Sequence, residues 1–104
     1  MSDVFARVGG TNGNHGNLTA TNMVQVDSGN VIIDDTWLWR ADHGTDGTVY
    51  NSQNPVTTGL VVNGDDVTGY GLASEHTLGD LLYWGGNRGK VFFYQSEYPY
   101  DVTQ

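Results

Sequence analysis

Residues 70–76 read YGLASEH and residues 92–98 read FFYQSEY. Laid over one another, the two phrases match Tyr70 with Phe92, Leu72 with Tyr94, Ser74 with Ser96 and Glu75 with Glu97, always at an interval of 22 residues. The same interval joins Leu60 to Leu82 and Val62 to Trp84. A register held at six positions is an internal repeat, and one of this length in a chain with 15 glycines predicts a solenoid that stacks one coil per repeat. Equivalent residues then stand in columns, about 4.8 Å from one coil to the next. Short apolar runs such as GLVV, DLLYW and KVFFY sit between Gly/Asn/Asp clusters, and no window carries a capped 3.6-residue period, so the expected class is all-β. Runs without strict alternation, VFF and LVV, suit parallel strands around a filled interior.

The repeat extends towards the N-terminus if one loop is allowed to grow. An interval of 33 sets Asp42 under Glu75, Trp37 under Tyr70, Trp39 under Leu72 and His43 under His76, with the eleven extra residues in the polar, turn-rich segment 44–58. A further 33 runs from Arg40 back to Arg7, placing Val4 beneath Trp37 and Gly9 beneath Asp42, with residues 10–22 as the matching loop. The expectation is a single β-helical domain over residues 1–104, of three to four coils, whose loops 10–22 and 44–58 leave the wall on one side and rim the acidic column.

Twelve acids against four bases give a net charge of -8, too few cations to neutralise phosphates, so nucleic-acid binding is excluded. The chain has no cysteine, which removes disulfides and thiolate chemistry. Residues 2–10, SDVFARVGG, have neither a basic start nor an apolar stretch, so no secretory leader is expected at this end. No apolar run approaches the roughly 20 residues of a membrane helix, and no membrane partner is expected. Neither end reads as a polar cap, which predicts a homo-oligomer or a missing neighbouring domain.

The phrases GLASEH (71–76) and YQSEYPY (94–100), with the aromatic YWG/KVFFY stretch between them, resemble the C-terminal β-helix of glycoside hydrolase family 55. WLWRADHG (37–44) resembles the preceding coils of bacterial relatives, so the resemblance covers residues 30–103. It implies a right-handed, single-stranded parallel β-helix, a β-1,3-glucan as polysaccharide partner, and hydrolysis with inversion. It also implies a secreted parent family and a second β-helical domain that completes the cleft, which a chain of this length lacks. Residue by residue, it implies Glu97 as the catalytic acid and Glu75 as the carboxylate that arranges water or sugar, with Gln95 and His76 as polar neighbours. No cofactor is implied.

Chemistry points to the same column. A glycosidase needs one protonated carboxyl and one ionised one. Glu75 and Glu97, one coil apart, are expected to repel, raising the pKa of one member of a jointly titrating pair. Asp42 and Glu97, two coils apart at about 9.6 Å, fit the wider spacing of inverting enzymes, about 6.5–9.5 Å, so Asp42 joins the catalytic candidates. His43 and His76 flank the column as substrate contacts, and no metal is expected because stacked histidines more often have a structural purpose. Trp37, Tyr70 and Phe92 are expected to form an internal stack. Trp39 and Tyr94, three residues before the acids, are candidate sugar platforms, and Tyr98, Tyr100 and Tyr50 candidate cleft residues. A cis Tyr98–Pro99 bond is also expected. The competing reading is a non-catalytic carbohydrate-binding or structural solenoid, in which the acids are only a solvated edge that blocks association.

Overall fold

The computed structural model describes residues 1–9, 18–44, 47–49 and 53–100. Its elements are strands: β1 (Ser2–Val8), β2 (Ala20–Val26), β3 (Ile32–Arg40), β4 (His43–Gly44), β5 (Gly47–Thr48), β6 (Val56–Val62), β7 (Thr68–Glu75), β8 (Leu82–Trp84) and β9 (Lys90–Glu97). No helix occurs among the described residues. Strands β1, β3, β7 and β9 lie side by side in one sheet, β2, β6 and β8 in a second, and β4 with β5 forms a small antiparallel pair. Both larger sheets are parallel throughout. Outside the β4–β5 pair the chain alternates between them, so each pass adds one strand to each sheet.

Apolar side chains from both sheets meet between them. Val26, Ile33, Leu38, Leu60, Val62, Val67 and Leu72 form one buried cluster, with Ala6, Met23, Leu82, Trp84 and Val91 packed against its margins. Burying a side chain of this size contributes about 1.5–3 kcal/mol, so the cluster is what holds the passes together.

All six pairs at the 22-residue interval are strand neighbours, Leu60 and Val62 on β6 with β8, and the rest on β7 with β9. The 33-residue interval does not hold. Asp34 opposes Tyr70 and Trp39 opposes Glu75, an interval of 36, while Phe5 opposes Trp37 and Val8 opposes Arg40, an interval of 32. Asp42 is therefore not beneath Glu75, nor Gly9 beneath Asp42.

What fixes the true register is a turn. Residues 27–30 (DSGN), 63–66 (NGDD) and 85–88 (GGNR) recur at 36 and 22, and each ends on a left-handed residue: Asn30, Asp66 and Arg88, with φ of 56°, 57° and 55°. Asn30 N donates to the Asp65 carbonyl and Asp66 N to the Asn87 carbonyl, both at 2.9 Å. Arg88 Nε and Nη2 reach the two Asp66 carboxylate oxygens at 2.7 Å each, the fork-to-fork pairing that suits a guanidinium. Gly64 is required there because a Cβ would run into the Ser28 carbonyl of the turn below.

A second left-handed column crosses the first sheet at Asp3, Asp35, Gly71 and Phe93, with φ of 52°, 50°, 62° and 62°. The ladder skips these positions, between Asp34 and Thr36, Tyr70 and Leu72, and Phe92 and Tyr94. Each such residue shifts the pleat by one, so two successive side chains face outward. Phe92 and Phe93 are 53% and 80% exposed for this reason, and alternation fails there in the sequence.

The expected internal aromatic stack lies instead on the outer face of this sheet. Tyr70 and Phe92 stack at 5.3 Å but are 45% and 53% exposed, and Trp37 stacks on Phe5 at 4.7 Å rather than on Tyr70. Of the two expected loops, residues 20–22 belong to β2 and 56–58 to β6. Residues 10–17, 45–46 and 50–52 lie outside the described residues. The Tyr98–Pro99 bond is trans.

Candidate functional site

Across the C-terminal ends of the first sheet runs the column Arg7, Trp39, Glu75, Glu97. Arg7 sets its guanidinium carbon 4.8 Å from the centre of the Trp39 ring. The Trp39 indole Nε1–H donates to His76 Nδ1 at 3.1 Å, and His76 Nε2 stands 3.2 Å from Glu97 Oε2. An indole nitrogen can only donate, so this contact calls for a lone pair on Nδ1. His76 itself is buried and left-handed, with φ of 64°. That conformation costs about 1–2 kcal/mol for a residue with a Cβ. It is held from both sides: His76 N donates to the Glu97 carbonyl at 2.8 Å, and its own carbonyl accepts from Arg40 Nη1 at 3.2 Å. Arg40 is fully buried and also donates to the carbonyls of Gln53 and Asn54.

Glu97 collects further donors. Tyr100 Oη donates to Oε2 at 2.7 Å and Gln95 Nε2 to Oε1 at 3.3 Å. The Tyr100 hydroxyl and then His76 hold the Glu97 carboxyl below the usual glutamate value, against burial and the nearby Asp42 charge, which push it up. Tyr100 is correspondingly held above the ordinary phenol value by its bond to Glu97 and that residue's charge. This corrects the expectation that repulsion from Glu75 raises the acid: Glu75 is not among the causes, and its Oε2 is drawn to the Trp37 indole Nε1–H at 2.9 Å.

Asp42, displaced from the column, still reaches the site. Its Oδ1 lies 2.9 Å from His43 Nδ1 and 3.4 Å from His76 Nδ1, and its carbonyl accepts from Val49 N at 2.8 Å. A single imidazole thus stands between Asp42 and Glu97. His43 is exposed and tilts over Trp39 at 5.1 Å. Trp39 is only 8% exposed, covered by Trp37, Phe5, Arg7 and His43, and acts as a hydrogen-bond donor. The structure therefore brings together Glu97, Glu75, Asp42, His76, His43, Gln95 and Trp39. It does not bring Tyr94 and Tyr98 to the acids. Tyr94 shares the register of Thr36 and Leu72 but, on the outer strand, is 42% exposed; partial desolvation raises its phenol, and with Tyr98 it lines a recess of about 370 Å³ beside Asp80 and Leu82.

Two participants escaped the sequence reading: Trp37 as a carboxylate partner, and Arg40. Tyr100, expected as a cleft residue, reaches Glu97 three positions before it, while Trp37 comes beside Glu75 only in the true register of β3 on β7. An open trough of about 570 Å³ borders the site, floored by Gly71 and Ala73 and walled by Trp37, Phe93, Gln95 and Glu75. Among the described residues no group of three or more histidines and carboxylates is placed to hold a metal ion.

Residues 1–97 match the model of the LAM55 pectate lyase-like domain. Over 102 residues, 98% of this chain, the sequence is 43% identical to an exo-beta-1,3-glucanase of Streptomyces sp. (strain SirexAA-E / ActE). The chain spans 16% of the length of that relative. No solved structure matches.

Proposed function

Since this chain belongs to the LAM55 pectate lyase-like domain family, we propose that it is the acid-bearing wall of a β-1,3-glucan hydrolase, wound as one right-handed parallel β-helix. The carrying observation is the Glu75–Glu97 pair, adjacent in register, each carboxyl held by its own donors and turned to different neighbours. The Trp37 indole on β3 holds Glu75, while Tyr100 after β9 and His76 after β7 hold Glu97. In this reading the pair opens from a backbone spacing of about 4.8 Å to the 6.5–9.5 Å or so that admits a water between acid and base.

In this reading Glu97 protonates the glycosidic oxygen and Glu75 activates the water, with inversion at the anomeric carbon. Asp42 is reassigned: it stands behind His76, with its Oδ1 facing His43. Glu97 is held ionised in the free site, chiefly by Tyr100. A bound sugar that displaces the Tyr100 hydroxyl and excludes water removes the main charge-stabilising donor and adds desolvation, and both raise the acid. Gln95 and His43 are proposed to touch the sugar. In this reading a further domain or a second copy closes the cleft.

The second reading, a glucan-binding wall without turnover, is favoured by the same donors, because a carboxylate kept charged cannot donate a proton. The experiment is sugar release from laminarin by the wild type and by Glu97→Gln. Release by the wild type that falls at least 100-fold in the variant, with the first product of inverted configuration by proton NMR, supports hydrolysis. Equal zero rates with glucan binding retained overturn it in favour of the binding wall.

A further inference from the structure

Two groups compete for one nitrogen of His76. The Trp39 indole donates to Nδ1 at 3.1 Å, and Asp42 Oδ1 stands 3.4 Å from the same atom. Their demands are opposite, since the indole needs a lone pair on Nδ1 and the carboxylate is satisfied only by a proton there. The indole contact is shorter and aligned as a hydrogen bond, while Asp42 Oδ1 already faces His43 Nδ1 at 2.9 Å. Trp39 and His76 are 8% and 3% exposed, so water does not readily replace the indole.

We propose that Trp39 is a positioning residue whose indole keeps the proton of His76 on Nε2, so that the imidazole hydrogen-bonds Glu97 without bringing a full positive charge beside it. The geometry stands on its own; its catalytic consequence rests on the reading of Glu97 as proton donor. A cation 3.2 Å from Glu97 would hold the carboxyl ionised far more firmly than a neutral donor does, and an acid so pinned would not recover its proton between turnovers. The charged and titratable groups facing His76 are Asp42 from the segment after β3, Glu97 from β9, Tyr100 whose ring lies 4.9 Å away, and Arg40 at its carbonyl, with Glu75 next in sequence. Two of these are carboxylates, one at each ring nitrogen. With the indole on Nδ1, Asp42 is left without a proton to accept there.

The ring nitrogen shifts of His76 in the wild type test this directly. A bare Nδ1 and a protonated Nε2 are expected at neutral pH, and a protonated Nδ1 overturns the proposal without any variant. Trp39→Phe keeps an aromatic ring against Phe5 and Trp37 but removes the donor. Nδ1 should then take up a proton shared with Asp42, and the Glu97 titration midpoint, followed by carboxyl carbon shifts, should fall by about one pH unit. Adding Asp42→Asn to Trp39→Phe should return both signals to their wild-type positions. Unchanged nitrogen shifts in Trp39→Phe, or no reversal in the double variant, overturn the proposal. Laminarin hydrolysis in the same samples separates the two readings: the expected tautomer with no sugar release removes the hydrolase and leaves the assignment of the proton intact.

Discussion

Tyr100 gives Glu97 its foremost single hydrogen bond, at 2.7 Å, with that of His76 next. Tyr100→Phe removes that donor and leaves the ring against His76, so the Glu97 midpoint should rise towards the ordinary glutamate value. Carboxyl carbon NMR reads this, and an unchanged midpoint would mean His76 and Gln95 suffice. The sign for stability follows from a lowered folded-state value. The contribution of Glu97 is present above the glutamate value of the unfolded chain and is lost as pH falls through the lowered value of the folded one. Acid-dependent loss of stability in the wild type should therefore span the interval between the ordinary glutamate value and the lowered one, and Tyr100→Phe, whose folded and unfolded values lie closer together, should show a narrower and smaller loss in acid unfolding. Little of this was legible beforehand. Glu97 and its phrase stood out in the sequence, but which donor met it depended on the path of residues 98–100, for which no local spacing rule exists.

The strands carry both the clearest and the most misleading signals. The 22-residue register was readable because this is the shortest pass, with four matching residue pairs on β7 and β9 and two more on β6 and β8. The pass before it was misread by three residues because Trp37 and Trp39 were set over Tyr70 and Leu72, aromatic and apolar on like. The sheet instead sets Asp34 against Tyr70, since on an outer face ring stacking is optional and turn geometry is not. The DSGN, NGDD and GGNR turns recorded the true interval of 36 and deserved more weight than the tryptophans. The left-handed column makes its own prediction. Phe93 holds a φ of 62° while 80% exposed. Its strain, about 1–2 kcal/mol, is offset by little burial. Phe93→Gly relieves that strain and gives up about 0.5–1 kcal/mol in chain entropy. A net gain near 0.5 kcal/mol is expected in urea unfolding, and a loss above 1 kcal/mol would show that the ring packs against something in solution.

At the scale of the molecule, β1 and β9 are the outer strands of one sheet and β2 and β8 of the other, with no element covering them among the described residues. Phe5, Trp37, Tyr70, Phe92 and Phe93 are all more than 40% exposed, and an aromatic face of this extent is unusual on an isolated domain. Light scattering of this chain should therefore return a mass above its own 11.3 kDa, and a value equal to one chain would remove the expectation of self-association.

The successive passes also differ in length in one place only. From Val26 to Ile32, Val62 to Thr68 and Trp84 to Lys90, the step from second sheet to first is always six residues. The steps back between paired positions, from Arg7 to Val24, Trp39 to Leu60 and Glu75 to Leu82, are 17, 21 and 7. Chain length is thus a free variable at the margin where the carboxylates stand and a constant at the opposite one. A lineage can resize what surrounds its acids, or an engineer can transplant foreign segments there, while every pairing in the wall keeps its partner.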